Sequence, residues 1–476
     1  MISKIQAFSL TLLVTLMAAT FTGSAASTYR DHRYSSFTTL PECEEGDILF
    51  VGNSITNMMD WWEAFGSRSN IRGRGNSGTT SNEILDHFDD IVKGKPEKVF
   101  FMIGTNDLSN NSEFNSPDSV AGRIIELIER TKAKVPGVKV YYQSILPTLR
   151  AGRTKAKTEK ANAIVNEWIQ VQNDPTITYI DLYTPMVDDN GSIKNTADAP
   201  DPDALSYDDL HLTQKGYQLW LDIIKDYVGY EPVFGKNAIN LAGGLPVSFG
   251  MRTSQFGALP VKSTDILLIG DEMIHNGDWQ ERLKNTDIKD RGTGWGFPGI
   301  SLAAMEGMFD PILSGNVNNG VVKETPRAVA LYGGTGEVQR GMSSDSLFAA
   351  YSHAIHELRD RLPDTPIFAM TLLPFPTSQN EKNRVIAEFN QRVVNEIAVP
   401  GSNIELIDLY TVGGGQNRSE QYFMDAESPF NNGTGYEAMA DAIRQALNGL
   451  ITLSDYSLLP EPQSINFGKD FFSQGR

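Results

Sequence analysis

Asp47-Ile48-Leu49-Phe50-Val51-Gly52 recurs far downstream as Asp265-Ile266-Leu267-Leu268-Ile269-Gly270. Each is a short apolar run closed by glycine, the pattern of a strand buried on both faces. Working outward from these two runs, further pairs recur in the same order and at nearly the same spacing. Val99 to Gly104, followed by Thr105, matches Val329 to Gly334, followed by Thr335, and Leu146-Pro147 matches Leu373-Pro374. Val165-Asn166-Glu167 matches Val394-Asn395-Glu396, Ile180-Asp181-Leu182-Tyr183-Thr184 matches Ile407-Asp408-Leu409-Tyr410-Thr411, and Gly216-Tyr217 matches Gly435-Tyr436. Ordered matches at this many positions read as an internal duplication.

Within each copy, short apolar runs alternate with longer amphipathic patterns. In the first copy the runs predict strands near 47–51, 99–103, 138–144 and 177–181, with a weaker one near 70–74. Helices are expected near 82–93, 118–133, 155–171 and 213–227. Alternation of this kind builds a parallel sheet covered by helices on both faces. The expected division of the chain is an export signal over 1–26, a first domain over 27–228, a Gly- and Pro-rich linker over 229–260, a second domain over 261–452 and an irregular tail over 453–476. Phe256 to Pro260 echoes Phe37 to Pro41, which offers part of the linker to the second domain.

A chain of 476 residues suits two domains rather than one core. Its formal net charge of -18 argues against a nucleic-acid partner, which needs a basic face. Lys4, the apolar run Ala7 to Ala19 and the small residues Ser24-Ala25-Ala26 before Ser27 have the layout of a cleavable export signal, with a retained anchor as the alternative. No cysteine follows the small residues, so lipid attachment there is not indicated, and no later segment is apolar enough to span a membrane. The expected product is an exported periplasmic or extracellular protein. Cys43 is the only cysteine, which allows no intramolecular disulfide, and it is read as incidental.

The residues with chemical potential stand where the first copy's strands end, the edge at which open parallel sheets bind ligands. Gly52-Asn53-Ser54-Ile55 leaves the first strand there, and a serine in such a turn is either a helix cap or a nucleophile. Asp208-Asp209-Leu210-His211 precedes the last helix. His211 can accept the serine proton while Asp208 holds its imidazole in one tautomer, with Asp209 as the alternative orienter. Gly104-Thr105-Asn106-Asp107 supplies an amide side chain for a developing oxyanion, or an ordinary turn. Arg74-Gly75-Asn76-Ser77-Gly78-Thr79-Thr80 offers glycine backbone close to a substrate.

These four blocks resemble those of the SGNH (GDSL) hydrolases, esterases and lipases with a flavodoxin-like three-layer αβα fold. The resemblance covers nearly all of 45–228 and, more faintly, 263–450. It implies Ser54 as nucleophile, Gly78 as backbone oxyanion donor, Asn106 as side-chain oxyanion donor, and Asp208 with His211 as orienting acid and general base. It also implies two-step acyl transfer with no metal or organic cofactor, the Ser54 amide joining Gly78 and Asn106 in the oxyanion hole. Asn53 departs from the family pattern, which has aspartate there, and the Gly-x-Ser-x-Gly elbow of other hydrolases is absent.

Aligning the repeats puts Glu272 at the Ser54 position, Gly336 at Asn106, Glu427 at Asp208 and Phe430 at His211. The glycine block is ambiguous around Arg291 to Gly296. The second copy is therefore expected to be catalytically dead, with His275, His353 and His356 as surface or packing residues. It serves as a scaffold or, through carboxylates at Glu272, Glu337 and Glu427, as a binder of a cation or sugar. The expected substrate is an acylated small molecule or glycan carrying a short acyl group such as acetyl; that choice leans on the resemblance and on the lack of a long apolar insertion. The alternatives are a lysophospholipase or thioesterase, and a glycan-binding protein without activity. Arg150, Arg153, Lys155, Lys157 and Lys160 form a basic cluster after the fourth strand, read either as a solvated helix start or, through Arg150 and Arg153, as a steering site for an anionic sugar.

Overall fold

The computed structural model describes residues 23–196, 203–235, 247–293, 299–314, 324–376, 378–412, 415, 420–424 and 431–450. These contain two five-stranded, all-parallel sheets. The first has the order β2-β1-β3-β4-β5, with β1 Ile48–Gly52, β2 Ile71–Gly75, β3 Lys98–Met102, β4 Lys139–Gln143 and β5 Ile177–Ile180. The second has the order β7-β6-β8-β9-β10, with β6 Ile266–Gly270, β7 Ile288–Gly292, β8 Ala328–Leu331, β9 Ile367–Met370 and β10 Ile404–Ile407. The two orders are the same when β6 is laid on β1.

Helices cover both faces of the first sheet because its strands alternate between two apolar cores. Leu49, Val51, Val99, Phe101, Val140 and Tyr142 face the helices Pro117–Lys134 and Lys155–Gln172. Ile48, Phe50, Phe100 and Met102 face the helix Gln214–Val228. On that second face Phe50 stacks on Trp61 (4.3 Å between centroids) and on Phe100 (4.8 Å), which stacks on Tyr141 (4.5 Å). This is the flavodoxin-like α/β architecture, present in both units.

Two expectations need revision. The predicted helix over 82–93 is two pieces, Ser81–Asp86 and Phe88–Ile91, broken at His87, whose ring stacks on Tyr34. The expected linker over 229–260 contains a helix, Val247–Phe256, whose Phe256 enters the second core. Propensity did not favour a helix there; burial of Phe256 and the ion pairs of Arg252 hold it. Residues 1–22, most of the expected export signal, and the tail after 450 lie outside the described residues. The described chain begins in the helix Gly23–Thr39. Among the described residues no helix is long and apolar enough to cross a membrane.

The two units meet along their edge strands β2 and β7 through charges exchanged between matching positions. Arg74 on β2 makes a two-pronged bond to Glu281 (2.8 and 2.8 Å), and Arg291 on β7 does the same to Glu63 (2.9 and 2.6 Å). Arg33 donates to Gly75 O (3.2 Å) in its own unit and to Asn276 O (3.1 Å) in the other, and pairs with Asp278. Arg252 donates to Gly292 O (3.3 Å) in its own unit and to Met58 O (2.8 Å) in the other, and pairs with Asp60 (2.8 Å). Each contact has its counterpart with the units interchanged, which is the reciprocity of a twofold interface. Charged side chains on an otherwise open edge also block pairing with foreign strands.

Candidate active site

Ser54 is the first residue of the helix Ser54–Asn57, directly after β1. Asn53 caps that helix, its Oδ1 accepting from Ile55 N (3.0 Å). A cap needs only a side-chain oxygen, so asparagine serves here as aspartate does at the matching Asp271, which accepts from Met273 N (3.0 Å). The turn is tight enough to require glycines. A Cβ on Gly52 would lie 2.5 Å from Met102 O, and one on Gly75 would lie 2.2 Å from Asn57 N. Two aromatic side chains then fix the helix that begins at Ser54: Tyr217 Oη donates to Ile55 O (2.6 Å) and Trp61 Nε1 to Thr56 O (2.9 Å).

His211 and Asp208 come from the loop before the helix Gln214–Val228. His211 Nε2 lies 3.1 Å from Ser54 Oγ, and His211 Nδ1 lies 2.9 Å from Asp208 Oδ2. Because the carboxylate can only accept, Nδ1 carries the proton and Nε2 is left to accept from the serine hydroxyl. Ser54 and His211 are both buried. Asp208 Oδ1 also accepts from the His211 and Leu210 backbone N–H groups (2.7 and 3.2 Å), and Oδ2 from the Arg150 guanidinium. Burial alone would raise the Asp208 pKa, but the hydrogen bond and charge of His211, its backbone N–H and Arg150 outweigh it and hold the pKa at about 2. Asp209 points elsewhere: with φ at 58° its carboxylate accepts from Leu149 N (2.8 Å) and Ile193 N (2.9 Å). Of the two aspartates, Asp208 is the one on the imidazole.

The glycine and Asn106 blocks are tied to this turn and to each other. Asn76 N donates to Gly52 O (3.0 Å), and Ser77 Oγ to Asn57 Oδ1 (3.1 Å). Gly78 has φ at +82°, a conformation that favours glycine, and Arg30 approaches the side where a Cβ would stand. Asn106 Nδ2 donates to Thr79 O (2.9 Å). Beneath it Asp107 is fully buried, accepting from Ser81 N and Oγ and from Arg123. Arg123, Ser81 and Trp61 support the site without any motif that marks them along the chain, whereas Tyr217 stands in the repeated Gly-Tyr pair.

The basic cluster after β4 divides. Arg150 lies on Asp208 with its side chain half exposed, whereas Arg153 is buried, its guanidinium on Thr105 O and Asn106 Oδ1. Lys157 and Lys160 bond exposed groups of neighbouring loops and helices. Arg153 therefore faces the protein, not solvent.

In the second unit Glu272 occupies the helix position of Ser54, buried, with one carboxyl oxygen lacking any partner among the described residues; burial and the neighbouring Asp271 carboxyl raise its pKa well above the usual carboxylate range. Gly336 stands one residue into the helix after β8, and Glu337 accepts from Leu302 N (2.9 Å). Glu427 and Phe430 lie outside the described residues. His275 is buried beside Asp290 at the interface, while His353 and His356 lie exposed on a helix. Among the described residues no group of three or more His, Cys, Asp or Glu could hold a metal ion. Cys43 is buried, and burial pushes its thiol up to about 11.

No curated protein matches the chain. Among solved structures it is similar to a GDSL-like lipase of Bacteroides thetaiotaomicron, with 26% identity over 43% of this chain and 98% of that one and a TM-score of 0.36. It is also similar to a provisionally assigned acylhydrolase of Bacteroides fragilis (25% identity, 43% and 96% covered, TM-score 0.36). A third is a provisionally assigned platelet activating factor of Streptococcus pneumonia (23% identity, 47% and 99% covered, TM-score 0.37). Residues 50–219 match the model of the GDSL-like Lipase/Acylhydrolase family, a span that runs from β1 through Ser54, Gly78, Asn106 and Asp208 to His211. Over that span, about a third of the chain, the sequence is similar to the GDSL-like lipase/acylhydrolase family.

Proposed function

We propose that this protein is an exported serine esterase whose first unit carries the only active site. The observation that carries the reading is the relay from Ser54 Oγ to His211 Nε2 (3.1 Å) and from His211 Nδ1 to Asp208 Oδ2 (2.9 Å). In the proposed reaction Ser54 attacks the ester carbonyl as His211 takes its proton; the imidazolium, held by Asp208, then protonates the departing alcohol. Water deprotonated by His211 releases the acid and restores the serine. The carbonyl oxygen, negative in both tetrahedral intermediates, is held by the Ser54 and Gly78 amides and by Asn106. A serine at the first turn of a helix supports this role, because N–H groups there lack intrahelical acceptors. No step requires a metal or organic cofactor.

The second unit is proposed to be a degenerate copy of the first. The shared strand order, the reciprocal interface and the paired caps Asn53 and Asp271 support duplication. A glutamate at the nucleophile position and a glycine at the Asn106 position support loss of chemistry. Its role is then to brace the active unit, since Arg252 holds Met58 O and Asp60 at the end of the nucleophile helix. The division into an export signal over 1–26, an active domain over 27–228 and a degenerate domain over 261–452 belongs to the same proposal, with the helix Val247–Phe256 reassigned to the second unit. The substrate is proposed to be a short-acyl, acetyl-type ester of a carbohydrate. The test is acetate release from acetylated sugars and from p-nitrophenyl esters of increasing chain length. A rate that falls steadily beyond acetyl supports the proposal; preference for long chains would shift it to a lysophospholipase or thioesterase.

A further inference from the structure

The loop from Leu149 to Arg153 joins two parts of the site that lie about a hundred positions apart in the chain. On one side Leu149 N donates to Asp209 (2.8 Å) and Arg150 pairs with Asp208. On the other, Arg153 Nε donates to Thr105 O (2.6 Å) and Nη2 to Asn106 Oδ1 (3.1 Å), while its Nη1 donates to Arg150 O (2.8 Å) within the loop. The loop packs closely on the Asn106 segment: a Cβ on Gly152 would lie 2.9 Å from Ser109 O. Ala151 and Gly152 both take left-handed φ values, 53° and 76°, to make the reversal.

An asparagine amide presents an acceptor on one side and two donor hydrogens on the other, and half a turn about its last bond exchanges them. At Asn106 only one orientation supplies a donor to an oxyanion. Arg153 has five N–H donors and no acceptor, so its contact admits Oδ1 and repels Nδ2. With Oδ1 on Arg153, Nδ2 spends one hydrogen on Thr79 O (2.9 Å) and retains the second for the substrate.

We propose that Arg153 is a positioning residue for the oxyanion hole, fixing the Asn106 amide with its donor toward the substrate through the bond from Nη2 to Oδ1 and the bond from Nε to Thr105 O. This rests on the esterase reading of the same site. It assigns to Arg153 a role other than steering an anionic substrate, and leaves Arg150 as the half-exposed cation at the triad's edge.

A double-mutant cycle on the full chain tests it, with Arg153→Met, Asn106→Ala and the double variant measured on a neutral short-chain ester. Arg153→Met is expected to lower kcat about 10- to 100-fold, the range for a displaced catalytic group, with KM changed by less than about threefold. In the Asn106→Ala background the same substitution should cost less than about threefold, because the group it positions is gone. Arg153→Lys, which keeps the charge but not the fork, should recover only part of the loss and serves as the readout if the methionine variant does not fold. Additive losses in the cycle, or a rise in KM confined to anionic esters with kcat unchanged, would overturn the proposal. Ser54→Ala measured alongside separates the two readings: if it retains activity the esterase reading fails, whereas its inactivity with an additive cycle removes only the role of Arg153.

Discussion

Glu63→Gln probes the braced-pair architecture at its most buried point. The Glu63 and Arg291 side chains have no solvent exposure, and their two-pronged bond crosses between the units. Burial raises the Glu63 pKa, but the charge of Arg291 and its hydrogen bonds, then Lys289 and Arg252, more than reverse this and hold it below the usual value. The substitution keeps the shape and leaves a buried guanidinium without its carboxylate. Breaking one partner of a buried pair costs about 3–5 kcal/mol, a large share of the ~5–15 kcal/mol that stabilises a typical domain. With a urea slope of about 3 kcal/mol per molar, the midpoint should fall by about 1–1.7 M, read by tryptophan fluorescence and far-ultraviolet circular dichroism. Replacing both partners with methionine should restore most of the loss, since an apolar pair of similar volume removes the stranded charge. The pH dependence has a defined sign: a carboxylate held low contributes fully above its unfolded pKa of about 4.3, and the contribution fades as pH falls through the lower folded value. A midpoint within about 0.2 M of wild type for Glu63→Gln, or a methionine pair no better than the single variant, would refute the reasoning.

Tyr217→Phe removes the hydroxyl bonded to Ile55 O and leaves that buried carbonyl unpaired, so it should cost about 1–3 kcal/mol in thermal or urea unfolding and lower kcat more than it raises KM. Asp60 and Asp290 share Arg252, at 2.8 and 3.3 Å, and burial chiefly raises the pKa of each to about 6. An acid with a raised folded pKa binds more protons folded than unfolded between about pH 4 and 6, so stability falls as pH rises through that window. Asp290→Asn should therefore change little at pH 4.5 and stabilise by about 1–3 kcal/mol at pH 8; equal effects at both would contradict the assignment.

The sheets were legible because doubly covered strands must be continuous apolar runs, and Ile48 to Gly52 and Ile266 to Gly270 are such runs. Ser54 and His211 were legible as a candidate pair because both stand in loops at one edge of the sheet, and the fold brings them to 3.1 Å. The interface was not. Glu63, Arg74, Glu281 and Arg291 look like surface charges along the chain, and only pairing across more than 200 positions makes their burial tolerable. Arg153 was hidden in the same way, within a basic run whose lysines are indeed solvated while its guanidinium turns inward onto Asn106. The helix Val247–Phe256 was masked by glycine-rich surroundings, though Phe256 to Pro260, which begins at its last residue and echoes Phe37 to Pro41, pointed to the second unit.

The most direct test of the central claim is covalent capture of the nucleophile. The full chain, treated with a fluorophosphonate and mapped by peptide mass spectrometry, should carry one adduct, on the peptide containing Ser54. Labelling should disappear in Ser54→Ala and slow strongly in His211→Ala, which removes the base 3.1 Å from the hydroxyl. Adduct on a second-unit residue, or none on Ser54 in folded protein, would contradict the account.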